Sequence, residues 1–211
     1  MGRSEQVTIS KPNFNAVAFK IVGTAPYVQN KFSQKAREMM RKTQEGGSTG
    51  NKGKKREGKN FQENYQQAMH VADEGWVGIP APSFRNAMIS ACRVVGFKMT
   101  HAKLSVFVEP DGFDADDGTP LVRIYGEPMV HEGLVRNATG VADVRWRPMW
   151  RQWHAFVRVV YDADQFTLED VSNLLARAGM QVGIGEGRPD SKMSAGMGWG
   201  TFRIAAESTT G

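Results

Sequence analysis

The chain has 211 residues, 40% of them hydrophobic and 23% charged, with a single cysteine, Cys92. That apolar fraction is enough for a buried core and excludes wholesale disorder, while one cysteine excludes a disulfide framework or a cysteine-built zinc site. Net charge is +5, but residues 31–60 hold ten basic and three acidic side chains, a local +7 that leaves the other 181 residues at −2. A basic segment on a near-neutral body favours a polyanionic partner, because Lys and Arg that neutralise phosphates release condensed counterions. A solvated loop would carry the same charge equally well. Residues 1–6 have no apolar signal core behind them, and no stretch approaches the roughly 20 apolar residues of a membrane span. The expected setting is therefore a reducing cytoplasm, with no membrane partner.

Residues 1–14 read as a polar arm, or as a short edge strand over 7–10. Residues 15–23 alternate as a strand with Val17, Phe19 and Ile21 on one face, ended by Thr24-Ala25-Pro26. Ser33 is placed to cap a helix reaching Lys42. Residues 44–60 contain no aliphatic or aromatic side chain and are expected to form a disordered basic insertion. A second helix follows over 61–71, with Phe61, Tyr65, Ala68 and Met69 as its apolar side. Residues 76–79 read as a short strand. Ser83 then caps a helix over 84–95, with Phe84, Met88, Ile89, Cys92 and Val95 inward and Gly96 as its stop. Residues 103–109 and 121–125 read as strands around an acidic stretch, 111–118, that lacks the ligand order of a calcium loop and is taken as a solvated turn. Further strands are expected over 129–136, 141–146 and 153–161. Thr167 caps a helix to Ala178, with Asp170 at its third position and Gly179 closing it. A glycine-rich run over 183–200 leads to a last strand, 201–205. Runs of strands broken by packed helices indicate an α+β domain over 15–205, with 206–211 as a tail.

The glycine-rich run contains Gly183-Ile184-Gly185-Glu186-Gly187, yet a helix precedes it and a strand follows, the reverse of a dinucleotide fingerprint. No nucleotide cofactor, nor any other, is expected. Glycines do allow a bulky partner close to backbone N–H groups, and a flexible connection would use them equally. Arg145, Trp146, Arg147, Trp150, Arg151 and Trp153 place three tryptophans and three arginines in nine residues. Trp faces stack on bases and Arg meets phosphates. Strand alternation sends at least one of Trp146 and Trp153 into the core, and the Pro148 interruption makes Trp150 the one expected to stay accessible. The four histidines have no metal-ligand spacing and sit in no nucleophile motif, so no metal site is assigned. His131, on a strand with Arg136 near the basic region, is the first candidate for acid–base work.

Three features together resemble a known family: Gly23-Thr24-Ala25-Pro26 ending the first strand, followed by Asn30-Lys31-Phe32-Ser33; the segment Ile79-Pro80-Ala81-Pro82-Ser83-Phe84-Arg85-Asn86-Ala87-Met88; and the glycine-rich loop between last helix and last strand. The combination is similar to the RAMP superfamily, the backbone subunits of CRISPR effector complexes, and to phage and prophage proteins that look like stand-alone relatives of them. The resemblance implies a ferredoxin-like, RRM-type antiparallel sheet with packed helices. It also implies single-stranded RNA bound by shape and backbone, with copies assembling side by side. Asn30, Lys31 and Ser33 would then meet the nucleic-acid backbone, as would Ser83 and Arg85 at a helix start. The insertion, with Lys52, Lys54, Lys55 and Arg56, would order on binding, and the glycine-rich loop would close over the strand through Arg188 and Lys192. Family members that cut target RNA use an aspartate in the loop after the first strand. Residues 24–33 contain none, so cleavage is not implied by that route. Processing nucleases of the family often use a histidine near the first helix, where this chain has His70.

The expected function is a non-enzymatic, sequence-tolerant binder of single-stranded nucleic acid, RNA ahead of DNA, that self-assembles along the strand. One alternative is a metal-independent RNA endonuclease using His70 or His131. Another is a phage virion protein whose basic segment meets packaged genome or a neighbouring subunit.

Overall fold

A computed structural model of the chain describes residues 9–32, 38, 41, 60–136, 142–191 and 196–206. Strand β1 (Phe14–Gly23) alternates as its sequence predicts, with Ile21 wholly buried and Val17 and Phe19 packed on the core. Along the chain follow β2 (Tyr27–Val28), α1 (Phe61–Gln67), β3 (Gly78–Pro80), α2 (Ala81–Ala91) and α3 (Met99–Ser105). Next come β4 (Val106–Glu109), β5 (Gly112–Phe113), β6 (Pro120–Tyr125), β7 (Pro128–Arg136) and β8 (Ala142–Trp150). The last elements are β9 (His154–Asp162), α4 (Leu168–Arg177), a π-helical turn (Ala178–Val182) and β10 (Phe202–Ile204).

The main sheet runs β10-β1-β9-β6-β3, with β4 also paired to β9 and β5 to β6, and its pairings are antiparallel. Helices α2 and α4 cover one face. Phe84, Met88 and Ile89 of α2 and Val171, Leu174 and Leu175 of α4 are buried there against Ala155, Val157, Val159 and Tyr161 of β9. Each such aliphatic or aromatic side chain removed from water contributes about 1.5–3 kcal/mol, and their alternation along β9 sets which face carries the helices. A second sheet, β2-β8-β7, stands beside the first, with His131 opposite Arg147 and Gly133 opposite Arg145. Helix α1 lies on β8 through Phe61, whose ring meets Trp146 at 5.5 Å. The architecture is α+β. No helix among the described residues is long and apolar enough to cross a membrane.

Several local expectations are corrected. Helix α2 begins at Ala81 with Pro82 in its first turn, where a missing N–H costs little, so Ser83 lies inside the helix and is not its cap. It ends at Ala91. Gly96 still closes the following turn with φ 69°, but Val95 is 48% exposed and not inward. Residues 103–105 are the end of α3, and only Val106–Glu109 is extended. Helix α1 stops at Gln67 rather than Val71, which instead bridges Val77. Strand β8 continues through Pro148 to Trp150. The Pro148 carbonyl accepts from Gln29 N at 3.1 Å, so its nitrogen faces that side too, just past the end of β2, and the ladder to β7 loses no bond. Gly179 does not end α4. It is buried in the π-helical turn against Phe202, and Gly183, with φ 69°, is the stop. The Thr167–Asp170 capping box is present as predicted. The helix expected over 33–42 and residues 44–59 of the insertion lie outside the described residues, apart from the isolated positions 38 and 41, as do Ser33, Lys52, Lys54, Lys55, Arg56, Lys192 and the side chain of Arg136.

Candidate functional site

A groove of about 780 Å³ opens between the second sheet, the start of α2 and the glycine-rich loop. Asn30 and His70 line it from the loops after β2 and α1, and Ser83 from the first turn of α2. His131 comes from β7, Arg145 and Arg147 from β8, and Arg188 from the glycine-rich loop. Parity explains the β8 pair: Arg145 and Arg147 are two residues apart and so share a face. Seven residues singled out from the sequence thus meet in one concavity.

The glycine-rich loop forms a wall because it is fastened to β2. Glu186 N donates to Val28 O at 2.9 Å, and Gly200 N donates to Pro26 O at 2.7 Å. Gly185, at φ 76°, lies flat on Tyr27, where a Cβ would come within 2.6 Å of the ring and of Val28 O. Trp199 stands on this loop in perpendicular contact with the His131 ring, with centroids 5.1 Å apart. Trp199 is the groove's half-exposed indole, and its place in a run of glycines hid it from the sequence reading.

Three of the expected contacts are used elsewhere. Trp150 is 1% exposed, covered by Tyr27 of β2, and has no face for a base. Arg85 is committed to backbone, with Nε donating to Val106 O at 2.9 Å and the guanidinium also reaching Lys103 O, above the Phe107 ring. Lys31 is 7% exposed, and its ammonium lies 2.6 Å from Asp114 Oδ1 and 2.7 Å from Asp116 Oδ2. Arg151 is exposed in the turn after β8, outside the groove lining. Of the other two indoles, Trp153 is in the core and donates to Ala25 O at 2.9 Å, while half-buried Trp146 donates to Glu132 at 2.9 Å.

Beneath the groove lies a network that the sequence reading took for a solvated acidic turn. The Asp114 carboxylate is fully buried between Lys31 and His70, whose Nδ1 donates to its Oδ2 at 2.7 Å. Gln29, also buried, donates to Gly78 O at 2.7 Å and accepts from His70 N at 2.9 Å, fixing the loop that carries His70. Burial alone would raise the Asp114 pKa. Hydrogen bonds from Lys31, the Asp116 backbone N–H and His70 outweigh it and hold the carboxyl below its ordinary value. Burial pushes the His70 pKa down, and the neighbouring Lys31 charge adds to this against the pull of Asp114. His70 is therefore neutral near pH 7, its Nδ1 proton on Asp114 and its other ring nitrogen left basic. Ligand atoms of His70, Asp114 and Asp117 lie within 4.8 Å of one another. The Lys31 ammonium already supplies the positive charge this carboxylate cluster calls for, so the geometry is that of an ion-paired network.

Groove charge is mixed. Arg147 Nε meets Glu186 at 3.2 Å, Arg145 Nε meets Asp143 at 3.2 Å, and Arg188 donates to Gly185 O at 3.1 Å. Burial lowers the Arg147 pKa, with Glu186 opposing, and its guanidinium stays charged. No protein-family model matches the chain, and no curated protein does.

Proposed function

We propose that the chain binds single-stranded nucleic acid, RNA rather than DNA, along this groove with little regard to sequence. The carrying observation is the convergence of Arg145, Arg147 and Arg188 with the half-exposed Trp199 on one open cleft. Guanidinium groups meet phosphates and an indole stacks on any base, a combination that tolerates sequence. The order β10-β1-β9 followed by β4 or β6, with α2 and α4 on one face, supports a ferredoxin-like core and through it the RAMP resemblance. Side-by-side assembly along the strand belongs to the same proposal and rests on that resemblance. The test is anisotropy of labelled oligouridylate and oligothymidylate across a salt series. Arg145→Glu with Arg188→Glu should weaken binding and flatten the salt slope, since each acid also repels phosphate. Unchanged affinity in the folded double variant would refute the groove.

His70 favours a second reading, a metal-independent RNA endonuclease. A neutral imidazole oriented by a buried carboxylate at 2.7 Å can take the proton of a ribose 2′-OH as that oxygen attacks the adjacent phosphorus. His131, in the same groove, could then protonate the departing 5′ oxygen. The products would be a 2′,3′-cyclic phosphate and a 5′-hydroxyl. Cleavage that persists in chelator and is abolished by His70→Ala supports it, and intact RNA with wild-type protein excludes it.

A further inference from the structure

The helix-free face of the main sheet carries a second constellation. Strand register places Arg203, Val22, His154 and Tyr125 side by side across β10, β1, β9 and β6. One rung along, Lys20 stands opposite Phe156. Directly paired residues project to the same face, so this is one continuous surface. Phe156 is 47% exposed and Tyr125 36%, although nothing in β-strand packing requires aromatic side chains on a solvent face. Tyr125 lies parallel to the His154 ring at 4.8 Å and perpendicular to Phe156 at 5.9 Å, so the rings hold one another in place. The Lys20 ammonium lies 5.9 Å from the Phe156 ring centroid and the Arg123 guanidinium 5.3 Å from that of Tyr125. The outward positions of these rungs carry Lys20, Arg123 and Arg203 and no acid.

We infer that this face is a stacking platform for the bases of a single-stranded nucleic acid, with Phe156, the more exposed ring, taking a base, Tyr125 held between His154 and Arg123 to support it, and Lys20 and Arg203 facing the phosphates. Charge decides the occupant. A second copy laid face to face about a two-fold axis would set Lys20, Arg123 and Arg203 against the same cations. A polyanion with flat bases answers both the cations and the rings. The inference shares its ligand class with the groove but none of its residues, and it holds whether or not the groove binds.

The experiment compares oligouridylate with an abasic oligonucleotide of equal charge, using the full chain and the variant Tyr125→Leu with Phe156→Leu, which removes the rings but keeps apolar volume. Wild-type protein should prefer the base-bearing strand by about tenfold or more, and the variant should lose most of that preference. Ultraviolet cross-links should map to the β6 and β9 peptides and persist in Arg145→Glu with Arg188→Glu. Loss of binding in that groove variant alone, with the aromatic variant unaffected, would overturn the inference and leave the groove standing. The opposite pattern would sustain it and remove the groove. Should the aromatic variant change only the sedimentation coefficient, the face is a contact between copies and the inference fails. Lys20→Glu gives an independent check, with several-fold weaker binding expected and unchanged binding counting against the platform.

Discussion

Replacing Lys31 by Met tests the buried network. Lys31 lies 2.6 Å from a carboxylate that solvent does not reach. At that separation an effective dielectric of about 20 gives roughly 6 kcal/mol of attraction, and breaking a buried pair from one side typically costs ~3–5 kcal/mol net. The pH dependence should change as well. In the wild-type chain the folded His70 pKa is lowered, so its contribution is complete above the unfolded value of about 6.5 and is lost as pH falls towards the folded one. Without Lys31 one of the forces that lower the His70 pKa is gone while burial remains, so the folded value should move up. The His70 contribution lost as pH falls would then be smaller than in the wild-type chain. Urea denaturation at about pH 8 should show the full ~3–5 kcal/mol loss, and at about pH 5.5 a visibly smaller one. Imidazole proton shifts should place the His70 titration higher in the variant than in the wild-type chain. A loss below about 1 kcal/mol would mean the pair behaves as a solvated surface bridge. An unmoved His70 titration would show that the Lys31 charge does not act on the imidazole.

Trp150→Ala should lower stability by ~3–5 kcal/mol in a denaturant titration through the cavity it leaves, and a near-neutral effect would contradict its burial. Trp199→Ala should instead weaken oligouridylate binding by ~1–3 kcal/mol if a base stacks there, with intact affinity counting against the groove. Gly185→Ala should cost more than about 1 kcal/mol in thermal unfolding, because it combines a positive φ with a Cβ pressed into Tyr27, and a neutral substitution would show that the loop can lift from β2.

Local chemistry in the amino-acid sequence settles the parity of β1 and β9, the Thr167–Asp170 capping box and the α+β order of elements, because each depends on side chains within a few positions of one another. It also singles out Arg145, Arg147, His131 and Arg188, side chains that the fold brings to one groove. The limits of a short window show at residues 103–105, whose apparent alternation continues that of Val106–Glu109 although Ala102 and Ser105 are the buried side of a helical turn. Which cation is buried and which reaches the groove is a different kind of question. Lys31 and Arg145 are equally polar in sequence, yet one is locked to Asp114, 83 positions away, and the other opens on the groove. Trp146 and Trp150 have the same parity on β8 but different cover, the helix α1 ring Phe61 for one and the β2 ring Tyr27 for the other. Burial of a polar group or an indole is set by what the tertiary fold lays over it, and contacts between distant segments leave no period or spacing in the chain that could announce them.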